Sequence, residues 1–120
     1  MSLSWPTELK VSKDRKSLMV TYNDGATYTL PAEMLRVLSP SAEVKGHGPG
    51  QEVTVPGKRH VAILTMTATG NYAVRIGFDD GHDTGIFTWI YLRELGETGA
   101  EKFADYEKSL AEKGLQRDPR

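Results

Sequence analysis

SLMVTYNDGATYTL, residues 17–30, is the stretch that decides the fold class. Ser17 to Tyr22 is rich in β-branched and aromatic residues, which suit a pleated, half-buried surface. Asn23-Asp24-Gly25 breaks the run, and Asp-Gly favours a type I′ turn because both of its central residues need positive φ. Ala26 to Leu30 then returns as a second strand, so the stretch predicts a β-hairpin. Upstream, Pro6 to Ser12 alternates Leu9 and Val11 against Glu8 and Lys10, as a strand does. The charged turn Lys13-Asp14-Arg15-Lys16 joins it to the hairpin.

Downstream, Pro31 opens a short helix near 31–38, since proline is favoured in the first helical turn where its missing N–H has no partner to lose. Met34, Leu35 and Leu38 fall on one face of it. Residues 43–58 are rich in glycine and proline and predict a long loop, with Gln51 to Val55 as a brief edge strand. Arg59 to Ala68 and Tyr72 to Phe78 predict two strands around Thr69-Gly70-Asn71. After Asp79-Asp80-Gly81-His82-Asp83 comes a short strand, Thr84 to Thr88. A short helix near 88–95 is expected to end at Gly96 as its C-cap. Thr98 to Leu115 predicts a C-terminal helix with Phe103, Tyr106 and Leu110 on its apolar stripe, and Gln116 to Arg120 is expected to fray. No period marking an internal repeat stands out. The expected class is α+β: a mostly antiparallel twisted sheet of six or seven strands, the two short helices and the C-terminal helix.

Composition narrows the functions. The 120 residues carry 15 Lys and Arg against 16 Asp and Glu, a net charge of −1, which argues against bulk electrostatic binding of nucleic acid. Lys45, His47, Lys58, Arg59 and His60 form only a mildly basic middle, diluted by Glu43 and Glu52. With no cysteine, thiolate metal sites and a cysteine nucleophile are excluded within the chain. No apolar run approaches a membrane span, and Met1 to Trp5 has no signal-peptide character, so a cytoplasmic location is expected.

The Asp79–Asp83 stretch concentrates ligating groups. His82 with Asp80, Asp83 or a further histidine (His47 or His60) is the candidate set for a metal or small ligand. A helix-loop-helix calcium loop does not fit, because the distal glutamate is missing. The competing reading is a β-turn: Asp80-Gly81 is a turn dipeptide, and aspartate side chains bond nearby backbone N–H groups there. No Gly-x-Ser-x-Gly or phosphate-loop pattern occurs, so no catalytic residue is expected.

Several features in order carry a family resemblance: Asp24-Gly25, Leu35-Arg36, Ser39-Pro40-Ser41-Ala42-Glu43, Gly70-Asn71-Tyr72-Ala73, Asp79 to Phe87, and Tyr91-Leu92. Over about residues 5–95 the chain resembles the bacterial domains named after the N-terminal domain of gamma-butyrobetaine hydroxylase. The resemblance implies a domain at 1–96 and a helical extension at 97–120. It implies no catalysis, because in the hydroxylases a separate domain binds iron and 2-oxoglutarate. Their N-terminal domain holds a structural zinc through a C-x-C-x-x-C set and one histidine. The matching positions here are Ser39, Ser41, Val44 and His82, which implies a zinc-free version with no cofactor. Family members are also appended to P-loop ATPases implicated in iron–sulfur cluster assembly or carriage. The resemblance therefore implies an accessory domain with a protein partner, such an ATPase being the first candidate.

Overall fold

The computed structural model describes residues 5–40 and 54–119. Among them, six strands and two helices follow in order: β1 (Pro6–Val11), β2 (Ser17–Tyr22), β3 (Thr27–Pro31), α1 (Ala32–Val37), β4 (Ile63–Thr69), β5 (Ala73–Phe78), β6 (Gly85–Thr88) and α2 (Trp89–Glu112). The class is α+β, as expected. The strands form two antiparallel three-stranded sheets, β1-β2-β3 and β4-β5-β6.

Each half of the chain is therefore a βββα unit, and the two units match in detail. Leu18, Val20 and Tyr22 on β2 are buried, and so are Val74, Ile76 and Phe78 on β5. Both first strands begin with an irregularity in register, between Pro6 and Glu8 in β1 and between Ile63 and Thr65 in β4. Both helices start on a main-chain bond to the residue before the middle strand: Ala32 N–H donates to Lys16 O, and Trp89 N–H to Tyr72 O. Leu35 on α1 and Leu92 on α2 are both fully buried. The sequence expectation of no repeat is thus corrected. The repeat lies in the geometry and in a few apolar positions 56 or 57 residues apart, too sparse for the eye to catch in one sequence.

One core serves both halves. Strands and helices of each unit contribute to a single cluster that includes Leu18, Tyr22, Leu35, Ile76, Phe87 and Leu92. Burying such a side chain contributes about 1.5–3 kcal/mol, so this shared cluster is what joins the two sheets. The sheets also touch through Arg15, which adopts φ 62°. Ile63 N–H donates to Arg15 O at 2.7 Å, and Arg15 Nη1 donates to the carbonyls of Ile63 and Leu64, each at 3.2 Å.

The C-terminal third departs from the expectation in two ways. First, a single helix spans Trp89–Glu112 where a short helix near 88–95 and a separate one had been expected. Thr88 caps it, its hydroxyl accepting from Tyr91 N–H at 3.0 Å. Gly96 is no C-cap. A Cβ there would lie 2.4 Å from Tyr28 Cγ, and one at Gly99 would lie 2.8 Å from Met34 Sδ. These glycines let α2 pack tightly against β3 and α1, and that contact outweighs their low helix propensity of about 1 kcal/mol each. The 96/97 boundary falls inside this helix.

Second, the tail docks rather than frays. Gly57 N–H donates to Gln116 O at 2.9 Å and Arg59 N–H to Arg117 O at 3.0 Å. Arg117 grips the buried Glu33 carboxylate with two bonds, 2.8 and 2.7 Å, the bidentate geometry that makes such pairs strong. Tyr106 and Leu110 are buried against Val37 beneath it. Arg120 lies outside the described residues, as do 51–53 of the expected edge strand; Thr54 and Val55 are not in a strand. β4 starts at Ile63, later than Arg59, because 59–62 turn to meet the tail. Among the described residues, no helix is long and apolar enough to cross a membrane.

Candidate functional site

The Asp79–Asp83 stretch links β5 to β6 as a tight turn. Gly81 holds φ 91°, a conformation that disfavours any side chain with a Cβ. Phe78 N–H donates to His82 O at 2.9 Å and Gly81 N–H to Phe78 O at 3.1 Å. Asp80 Oδ1 accepts from the His82 N–H at 3.0 Å, the local bond that makes aspartate a turn residue. Asp79 pairs with Ala62 twice: its N–H donates to Ala62 O at 2.9 Å, and its Oδ1 accepts from Ala62 N–H at 3.1 Å. Both aspartates are thus engaged in fixing the chain.

Asp80 does more than shape the turn. Its Oδ2 meets Arg36 Nε and Lys58 Nζ, both at 2.7 Å, and its side chain is only 16% exposed. Burial alone would raise its pKa. The Lys58 ammonium, the His82 N–H and the Arg36 guanidinium together outweigh burial and hold it at about 2. Arg36 lies before residues 41–53 and Lys58 after them, so one carboxylate ties together the two ends of that segment. Arg36 Nη1 is buried without a hydrogen-bond partner among the described residues.

His82 turns inward. It is 5% exposed, and its Nε2 lies 3.1 Å from Oγ of the fully buried Ser39. Gly85 makes room for this pair, since a Cβ there would sit 2.3 Å from Ser39 Oγ. The neighbouring Leu38 carbonyl accepts from the Tyr91 hydroxyl, whose pKa burial pushes up to about 12. Asp83 and His60, by contrast, are exposed. The structure therefore joins Asp80 to the His82 main chain and sets the His82 ring against Ser39. No group of three His, Asp or Glu side chains able to hold a metal forms among the described residues. His47, Lys45, Glu43, Glu52, Ser41 and Val44 lie outside them. A hollow of about 300 Å³ does exist, but Pro56, Gly57, Leu115, Gln116, Asp118 and Pro119 line it, away from the turn.

The family described as gamma-butyrobetaine hydroxylase-like, N-terminal, matches residues 9–93. The chain belongs to this family. A solved NMR structure is 44% identical, covers 99% of this chain and 94% of its own, and has a TM-score of 0.83. A second NMR structure is 39% identical over 98% of this chain and 87% of its own, also with a TM-score of 0.83. A crystal structure of a protein of unknown function in the DUF971 family, from Acidithiobacillus ferrooxidans, is 40% identical. It covers 76% of this chain and 91% of its own, with a TM-score of 0.63. No match was found among curated proteins.

The zinc expected of the hydroxylases' domain does not fit these residues. Of the four matching positions only His82 offers a good ligand; a serine hydroxyl is a poor one and Val44 none. Where two of those positions meet, the chain has the Ser39–His82 contact. Sequence reading singled out Ser39 and His82 through the resemblance, but it missed Arg36 and Lys58 as partners of Asp80. Their signal was weak: a cation on a short helix and another in a loop, each far from the turn in sequence.

Proposed function

We propose that this chain is a non-catalytic accessory module that works by holding another protein. The single observation that carries this reading is the state of the turn. The groups that look chemical in sequence are consumed internally: Asp79 by Ala62, Asp80 by Arg36 and Lys58, and His82 by Ser39. A catalytic acid or base needs access to a substrate and a pKa suited to its task. Asp80, held at about 2 and ringed by cations, is suited to an anchor instead. The Ser39–His82 contact takes the place of the metal cross-link, and Tyr106, Lys113, Gln116 and Arg117 brace the chain that follows residue 53.

The partner we propose is a P-loop ATPase of iron–sulfur assembly or carriage, in the cytoplasm, on the strength of the family's appended contexts. The test is direct binding of the purified chain to such ATPases by calorimetry. Saturable binding in the micromolar range, ordinary for a transient interface, is expected. No heat and no complex across the ATPases of one bacterial cell would overturn the partner, and a turnover assay showing activity lost in Asp80→Asn without loss of fold would overturn the non-catalytic reading.

A further inference from the structure

The two βββα units present equivalent outer strands, and these strands are built differently. β1 (PTELKV) carries Pro6, Glu8 and Lys10, the proline and charges with which edge strands resist pairing with other chains. β4 (ILTMTAT) has no charge and no proline, and it too is an outer strand, with β5 as its one strand neighbour among the described residues. Thr65, Thr67 and Ala68 are exposed, and Leu64 is 54% exposed. The N-terminal end of this edge is closed by Arg15, which occupies the carbonyls of Ile63 and Leu64. Thr65–Thr69 remains open among the described residues.

Charge indicates what fits there. Arg75 stands opposite Thr67 in the β4–β5 register and is exposed, its side chain in no ion pair or hydrogen bond among the described residues. Lys13 and Lys16 flank Arg15 in the turn at the closed end, and all three are exposed. The one acid of that turn, Asp14, is bonded to Ser12 and to the Lys16 N–H. Asp79 and Asp83 lie toward the Thr65 end, Asp79 already engaged by Ala62.

We infer that the β4 edge takes an extended segment of a partner protein as an added strand, one whose side chains include carboxylates for Arg75 and for the Lys13–Lys16 turn. Main-chain bonds to Thr65–Thr69 would give the affinity and the charges the choice of partner. A second copy of this chain fits less well, because edge-to-edge pairing would bring the same cations toward each other. This inference rests on the interaction-module reading and names the surface and the partner's chemistry.

The probe is a short peptide of alternating valine and glutamate, titrated into the full chain and followed by amide NMR shifts. Saturable shifts over Thr65–Thr69, and none over Pro6–Val11, are expected. The same peptide with N-methylated backbone amides should not bind. Its lysine counterpart should bind about fivefold more weakly, the scale of one exposed charge contact. Arg75→Glu should reverse that preference, and Thr67→Glu, which sets a charge like the peptide's own into the edge beside Arg75, should abolish binding of the acidic peptide. Equal binding of the acidic and basic peptides, shifts centred on β1, or slow exchange in the free chain of those Thr65–Thr69 amides that point away from β5 would each overturn the inference. So would concentration-dependent broadening there without peptide, which marks self-pairing. If a P-loop ATPase binds Thr67→Glu as well as it binds the wild type, the module reading stands and the edge is wrong. If it binds neither, the partner reading fails while the peptide titration still judges the edge.

Discussion

Two turns in this molecule share one backbone and serve different ends. In the first unit, Gly25 holds φ 91°, the same value as Gly81. Tyr22 N–H donates to Ala26 O at 2.8 Å, and Asp24 Oδ1 accepts from Ala26 N–H at 3.1 Å. Asn23 even pairs with Trp5 as Asp79 pairs with Ala62, through its main chain at 2.9 Å and its side chain at 3.2 Å. The surroundings differ. Asp24 is 49% exposed and meets the single cation Arg93, whereas Asp80 is largely covered and meets two. Position 26 is alanine, where position 82 is a histidine buried against Ser39. The Asp-Gly chemistry therefore makes a turn in both places, and only the packing around the second makes it an anchor. Function-like residues in a turn gain meaning from what covers them.

The sharpest way to break this comparison is to remove the two aspartates in turn. Asp80→Ala leaves Arg36 and Lys58 facing each other at a partly covered site, and the loss should fall between those of an exposed and a buried pair, about 2 kcal/mol. Asp24→Ala removes an exposed contact and should cost less than about 1 kcal/mol. Urea denaturation of both variants measures the gap, and equal losses would mean that Asp80 is no more than a turn residue. Acid provides a second measure. The folded pKa of Asp80 is depressed to about 2, from 3.8, so its contribution is complete above pH 4 and disappears as pH falls through 2. The wild type should lose stability over that window, and Asp80→Asn should show a flatter profile there.

The histidine sharpens the contrast from the other side. His82→Ala empties a buried site and strips Ser39 of a hydrogen-bond partner, for about 2 kcal/mol. Ser39→Ala removes the hydroxyl alone and should cost about 1 kcal/mol. If the two residues act as one contact, the double variant should cost less than the sum of the singles. Thermal melts of the three variants would show it, and strict additivity would separate His82 from Ser39.

Much of this was legible in the residues. Asp24-Gly25 and Asp80-Gly81 both declared their turns, but only the glycine of each pair holds positive φ, so the type I′ form expected at Asp24-Gly25, which needs it at both residues, is not the one adopted. The apolar faces of β2 and β5 were visible as alternation, and the stripe of Tyr106 and Leu110 as helical spacing. The repeat was legible in principle: Leu18-x-Val20-x-Tyr22-x-Asp24-Gly25 answers to Val74-x-Ile76-x-Phe78-x-Asp80-Gly81. Only two of those residues are identical, and the shared property is burial, which a sequence does not print. Gly96 misled for a related reason. A glycine that ends a helix and a glycine that admits a neighbour look alike until Tyr28 is seen against it. The ties of Arg36 and Lys58 to Asp80, and of Arg117 to Glu33, join positions far apart in the chain, and local pattern carries no information about them. Belonging to the family placed Ser39 near His82, which residue chemistry alone had no means to do.

The smallest effect tests what the two turns have in common. A Cβ added at Gly25 or at Gly81 meets nothing within 4 Å, so neither substitution creates a clash. What remains is the strain of a left-handed backbone, about 1 kcal/mol for an alanine. Gly25→Ala and Gly81→Ala should therefore destabilise the chain equally, although one turn is a solvent-exposed hairpin tip and the other holds the ion pairs of Asp80 and the buried His82 contact. Denaturant midpoints for the pair decide it. A much larger loss at Gly81 would mean that the anchor depends on fine adjustment of its backbone, so that turn and environment are not separable causes. Equal losses would keep them separate: the glycine sets the path of the chain, and Arg36, Lys58 and Ser39 determine what that path is used for.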